Sequence, residues 1–200
     1  EQVGRFYAEG SGSDGIADPF VSLSFVPAVT GTFRDMTQIR FEFPEFIPEN
    51  CTGCAKCWTQ CPDSAIPGLV VEIDSLLDKV AARLNGGGSA LAKHREAVGT
   101  ALRVRLEESG ETPNVADLAH ETICAVATEV EDPSLAQEAE AVKAALVDLP
   151  LAKTKPFFVA PERKEEGAGA LLAITVNPTT CKGCMECVDV CDDDALRPVP

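Results

Sequence analysis

The stretch CTGCAKCWTQCP at residues 51–62 decides the reading, because CKGCMECVDVCD at 181–192 repeats it. Both runs place four cysteines as C-x-G-C-x-x-C-x-x-x-C, the second at an offset of 130 residues from the first. They use eight of the nine cysteines and leave Cys124 over. An odd total gathered into two tight groups, without secretory context, points to reduced thiols rather than a disulfide framework. The expected setting is therefore cytoplasmic.

Thiolate sulfur is soft, so clustered cysteines select zinc, copper(I) or iron–sulfur clusters over hard cations. Spacing decides among these. Structural zinc usually takes two Cys pairs a dozen or more residues apart, whereas here three cysteines lie within seven residues of each other. Such a loop wraps one face of a 4Fe-4S cubane, and the fourth iron is ligated from elsewhere. In the two-cluster pattern the fourth cysteine of each run serves the other cluster. This assigns Cys51, Cys54, Cys57 and Cys191 to one cluster, and Cys181, Cys184, Cys187 and Cys61 to the other. The metal would then staple the two ends of the chain together, so that losing one ligand harms both. Gly53 recurs as Gly183, where a glycine lets the backbone turn tightly and bring N–H groups toward sulfur. Eight thiolates around two oxidised cubanes add about −4 to the formal charge, which suits low-potential clusters. A pair of zinc sites is the bland alternative.

One position breaks the repeat: Pro62 follows Cys61, but Asp192 follows Cys191 and opens the run Asp192-Asp193-Asp194. A carboxylate ~6 Å from an iron centre interacts by roughly 3 kcal/mol at an effective dielectric near 20. On that count the cluster completed by Cys191 is the harder to reduce.

Apolar segments flank the runs in the same order. Phe46-Ile47-Pro48 leads into the first and Leu69 to Ile73 follows it, while Leu171 to Val176 leads into the second. These read as short strands. Ala65-Ile66 and Ala195-Leu196, after each fourth cysteine, suit a cover for a cluster. Between them, Asp74–Leu84, Ser89–Glu108, Asn114–Val130 and Pro133–Leu149 show helical spacing, as in Leu91, Val98, Leu102 and Leu106. Asp132-Pro133 is a helix opening and Asn85-Gly-Gly-Gly88 a break. The expected fold is α+β: a dicluster bacterial ferredoxin-like fold split by an all-α insertion. Its expected parts are an N-terminal extended arm or linker (1–45), the first half-domain (46–73), the helical insertion (74–165) and the second half-domain (166–200). The arm contains Phe25-Val-Pro-Ala-Val29. The insertion reads as a self-packed spacer rather than a docking module.

The rest is mostly exclusion. Over 200 residues, 45% hydrophobic and 24% charged content suffices for a core, and no apolar run reaches a membrane span. A net charge of −15 disfavours nucleic acid, which asks for clustered Lys and Arg. Gly10-Ser-Gly-Ser-Asp-Gly15 matches a dinucleotide fingerprint but Asp18-Pro19 follows where a helix should open, so it reads as a loop. Cys124 reads as a small core residue, His94 and His120 as packing or surface groups, Trp58 as a cluster shield, and Lys153, Lys155, Arg163 and Lys164 as a solvated linker. No triad or phosphate loop appears, so no catalytic centre is expected here. A start in Glu1 and an end in Arg-Pro-Val-Pro lead us to expect a piece of a longer protein.

The resemblance goes beyond cysteines. GTFRDMTQIRFEFPEFIPENCTGCAKCWTQCPDSAI at 31–66 and LLAITVNPTTCKGCMECVDVC at 171–191 resemble the ferredoxin-type domain of pyruvate:ferredoxin oxidoreductase and related 2-oxoacid:acceptor oxidoreductases. The matching parts are Pro-x-x-Ile-x-x-x-Cys at 44–51, the CPDSAI turn, and Val-Asn-Pro-x-x-Cys-x-Gly-Cys at 176–184. The resemblance implies an electron relay through two 4Fe-4S clusters on the eight cysteines above. It further implies thiamine diphosphate and coenzyme A in other domains or subunits of the parent oxidoreductase, and an external ferredoxin or flavodoxin-like acceptor. The interval between the motifs is longer than in typical members. A self-standing ferredoxin-type carrier, an iron–sulfur subunit of another redox complex, or a protein whose clusters only stabilise the fold are the competing readings.

Overall fold

The computed structural model describes residues 5, 8–14, 37, 38, 40–85, 88–110 and 112–200. The expected arm segment Phe25–Val29 lies outside them, as does Gly15 of the glycine-rich match, in which Gly12–Asp14 form one 3-10 turn. In chain order the elements begin with β1 (Phe43–Phe46), α1 (Lys56–Gln60), β2 (Gly68–Glu72), α2 (Ile73–Asn85), α3 (Ala90–Lys93), α4 (Arg95–Glu108) and α5 (Val115–Glu129). There follow α6 (Pro133–Val147), β3 (Leu151–Ala152), a π-helix (Lys155–Val159), α7 (Ala160–Lys164), β4 (Ala170–Ile174), α8 (Glu186–Asp189) and β5 (Leu196–Val199).

The chain forms two compact units, one of Glu1–Phe46, Ala55–Pro67 and Thr175–Pro200, the other of Ile47–Cys54 and Gly68–Ile174. These boundaries differ from the expected halves 46–73 and 166–200, because β2 and β4 belong with the helices. Their sheet has the order β2-β4-β3, antiparallel throughout, with Val71 opposite Leu171 and Leu151 opposite Ala173. All five residues of the central strand β4 are buried, which explains why ALLAI reads as an unbroken apolar run.

In the larger unit the stripes predicted on the helices meet. Leu91, Val98, Leu102, Leu106, Ile123, Leu135 and Val142 are fully buried and join Phe158 and Leu171 in one core. Each such large side chain stabilises by about 1.5–3 kcal/mol when taken from water. The helix starts follow local chemistry: the Asn114 side chain accepts from the N–H groups of Ala116 and Asp117 at 3.1 Å each. Asp132 accepts from Ser134 N–H at 3.1 Å, with Pro133 at the first helical position.

Two expectations fail here for tertiary reasons. The helix predicted over Ser89–Glu108 is broken at His94 (φ −106°, ψ 16°) into α3 and α4. Glu138, from α6, accepts the Ala90 and Leu91 N–H groups at 2.9 and 2.8 Å, and Asp132 holds His94 Nε2 at 3.0 Å. The supposed linker 153–164 is structured: Lys153 Nζ donates to the Leu106 carbonyl at 2.7 Å and to that of Ser109, closing the end of α4, and Phe158 of the π-helix is fully buried.

In the other unit β1 and β5 pair antiparallel, from Phe43 opposite Val199 to Phe46 opposite Leu196, with Arg197 bonded to Glu45 across the strands. Ala65, Ile66, Ala195 and Leu196 are buried.

Candidate metal centre

The repeat in sequence is a repeat in backbone. Positive φ angles recur at the 130-residue offset in three pairs: Gly53 (75°) and Gly183 (67°), Ala55 (69°) and Met185 (61°), Ser64 (51°) and Asp194 (51°). A left-handed backbone costs roughly 1–2 kcal/mol at a residue with a Cβ, so each loop holds two non-glycine residues there against preference. Ala55 and Met185 precede α1 and α8, the short helices that carry Cys57 and Cys187. The hydrogen bonds repeat as well. Ser64 N–H donates to Cys61 O and Asp194 N–H to Cys191 O, both at 3.3 Å. Ala65 N–H donates to Cys61 Sγ and Ala195 N–H to Cys191 Sγ, both at 3.2 Å. Amide donors aimed at sulfur stabilise thiolate character and tune a cluster held there.

Cys61, Cys181, Cys184 and Cys187 line one cavity, with Pro44, Ala65, Ile66 and Met185 supplying apolar wall. Three of these thiols come from the second run and the fourth from the first. Burial, followed by the neighbouring Cys184, Cys61 and Cys181, pushes the Cys187 thiol up to about 12. Four thiolates brought to one cavity would repel one another, and a cationic metal–sulfur core would relieve that repulsion. The donor set is soft and the residues fit such a group. Among the described residues no three Cys, His, Asp or Glu side chains converge on a point that would hold a single ion. That is compatible with the cavity, since a cubane is itself several ångström across and keeps its ligands apart.

The other predicted ligands fall as follows. Cys57 and Cys191 lie in the unit that holds this cavity, and Cys51 and Cys54 in the helical unit. Cys51 N–H donates to Pro48 O at 3.1 Å, ending a 3-10 turn over Pro48–Asn50. Beside it, a Cβ on Gly53 would meet Pro156 Cγ at 2.9 Å and the Thr154 side chain at 3.1 Å. All nine cysteines are free of disulfides. Cys124 is partly buried against the helical core, its Sγ 3.9 Å from His120 Nε2, and His120 pairs with Glu140 at 3.0 Å. Trp58 is half-buried on α1.

Two ion pairs escaped the sequence reading, although Lys182 stands inside the motif and Asp63 inside CPDSAI. Lys182 Nζ lies 2.9 Å from Oδ1 of Asp63, which is 3% exposed; the oxygen receives no well-aligned hydrogen bond among the described residues, so the contact is mainly electrostatic. Lys56 pairs with Asp192 at the surface. The second pair weakens the expectation drawn from Asp192: with the Lys56 ammonium against it, the carboxylate's field at a distance is reduced. Arg40 was also missed. Its Nη1 donates to Pro178 O and, at 3.3 Å, to Cys181 O, placing a cation beside the second loop.

Residues 174–197 match the family described as 4Fe-4S binding domain, a segment that contains Cys181, Cys184, Cys187 and Cys191. No curated protein and no solved structure matches the chain. Among the described residues no helix is long and apolar enough to cross a membrane. The thiols on a shared cavity and this match fall at the same residues, which supports a 4Fe-4S cluster held there and suggests iron–sulfur electron transfer.

Proposed function

We propose that this chain holds two 4Fe-4S clusters and relays electrons inside a thiamine-diphosphate-dependent 2-oxoacid oxidoreductase, from an active site in other domains or subunits to a ferredoxin- or flavodoxin-like acceptor. The observation that carries the reading is the cavity in which Cys61 of the first run joins Cys181, Cys184 and Cys187 of the second. Together with the repeated backbone of the two loops, it supports the crossed ligand sets Cys51, Cys54, Cys57, Cys191 and Cys181, Cys184, Cys187, Cys61, and with them the dicluster ferredoxin-like fold. The resemblance at 31–66 and 171–191 supports the parent enzyme.

When bound, a 4Fe-4S cluster takes up and releases one electron with little change of shape. The chain's own residues do the rest. The thiols would fix the position of each cluster, the amides of Ala65 and Ala195 stabilise sulfur charge, and Pro44, Ile66 and Met185 give the cavity apolar wall.

Anaerobic reconstitution of the full chain tests the cluster count. About eight irons and eight sulfides per chain, with a spin-coupled EPR spectrum on reduction, are expected; about four of each overturns the two-cluster reading. Native isolation tests the parent enzyme: the preparation should reduce a viologen dye when given a 2-oxoacid and coenzyme A. Two clusters without that activity overturn the oxidoreductase assignment and leave the self-standing carrier.

A further inference from the structure

Thr154 stands at the junction of β3 and the π-helix, within the long segment that separates the two cysteine runs. It is 1% exposed, and its Oγ1 has no hydrogen-bond partner among the described residues. A buried hydroxyl left without a partner costs about 1–3 kcal/mol, and an orphan of this kind in a native fold signals a role or an absent ligand. The residue is held firmly all the same. Its carbonyl accepts from both Phe158 N–H (2.9 Å) and Val159 N–H (3.2 Å), the wide turn that makes the segment a π-helix, a geometry frequent at functional sites. The side chain packs on the first cysteine loop: Oγ1 and Cβ lie 3.1 Å from where a Cβ on Gly53 would be, between Cys51 and Cys54.

A hydroxyl has one hydrogen to donate, and as it finds no acceptor among the described residues, the acceptor has to arrive with a ligand of this loop; a 4Fe-4S cluster brings sulfur of its own. The second loop has nothing comparable on its glycine, since Gly183 is faced by Glu42 O and the Arg40 side chain. We propose that Thr154 is a positioning and tuning residue of the CTGC loop, donating its hydroxyl hydrogen to sulfur of the cluster that Cys51 and Cys54 would hold, and so favouring the reduced state of that cluster. This rests on the reading that Cys51 and Cys54 hold a 4Fe-4S cluster. The segment between the runs would then be part of the redox site rather than a spacer alone.

The test is redox potentiometry with EPR detection on the reconstituted full chain, comparing wild type with Thr154→Val, which keeps the shape and removes the donor, and Thr154→Ser, which keeps the donor. Valine is expected to make reduction of one cluster about tenfold less favourable, a drop of ~59 mV for a one-electron couple, with the other midpoint unmoved and serine like wild type. Both midpoints unchanged in the valine variant, with both clusters present, overturns the proposal alone. If wild-type chain binds only one cluster, and Cys54→Ser does not remove it, the underlying reading falls instead. Should valine fail to load, loading by serine but not by Thr154→Ala supports the hydroxyl, loading by alanine with unshifted midpoints overturns it, and loading by alanine with one lowered midpoint supports it. Failure of serine as well assigns the site to methyl packing on Gly53 and overturns the proposal.

Discussion

The two cysteine loops share a backbone and differ in what covers them. At 51–65 and 181–195 the same three positions take positive φ and the same amide reaches the last sulfur of the run. Yet Gly53 is faced by Thr154 and Pro156, and Gly183 by Arg40 and Glu42. A duplicated motif thus repeats the cysteine loop and the amide on its last sulfur, while unrelated segments supply each environment. Identical ligands in unlike surroundings are how a protein holds two centres at different potentials.

Crossed ligation is the sharpest way to break the comparison and has the largest expected effect. If each run completes the other's cluster, Cys61→Ser removes the centre of the second run, not of its own. The reduced variant is expected to show the same residual EPR spectrum as Cys184→Ser and a different one from Cys54→Ser, with iron falling from about eight to about four per chain. A spectrum matching Cys54→Ser instead would mean that each loop closes on itself.

The glycines probe the covers. Alanine at either position pays for a left-handed backbone, about 1–3 kcal/mol. At Gly183 the new methyl also meets a backbone atom, Glu42 O, at 2.6 Å; at Gly53 the nearest atom is Pro156 Cγ at 2.9 Å, on a side chain. Backbone yields less readily, so Gly183→Ala is expected to bleach at a lower temperature than Gly53→Ala when the visible absorbance of the loaded chain is followed on heating. The reverse order would show that the Thr154–Pro156 cover is the more rigid.

Legibility followed the range of the interactions. Helix openings at Asn114 and Asp132-Pro133 were readable because each cap reaches only two or three residues along the chain. The buried strand was readable because β4 is apolar on both faces. In the site, the spacing alone brought forward the four thiols that share a cavity, three of them local and Cys61 by the crossed pattern. What stayed hidden depends on distant partners. The break at His94 is made by Asp132 and Glu138 from a later helix, Lys153 is recruited by carbonyls 44 and 47 residues back, and Asp63 is buried against a lysine from the other run. No window around those residues contains the group that decides them.

The lysine pairs give the smallest effects and separate burial from mere proximity. Each joins one run to the other, Lys182 to Asp63 and Lys56 to Asp192, so a count of contacts treats them alike. Burial does not: Asp63 is 3% exposed, whereas the Lys56 and Asp192 side chains are 50% and 74% exposed. Removing Lys182 leaves a carboxylate out of water with no cation beside it, a loss of about 1–3 kcal/mol. Removing Lys56 leaves Asp192 hydrated, and an exposed pair of this kind contributes at most about 1 kcal/mol. Lys182→Met is therefore expected to lower the thermal midpoint of the loaded chain clearly and Lys56→Met barely, with added salt narrowing only the second difference. Equal shifts would mean that Asp63 reaches solvent once its partner is gone, and that the two loops are more alike electrostatically than their neighbours make them.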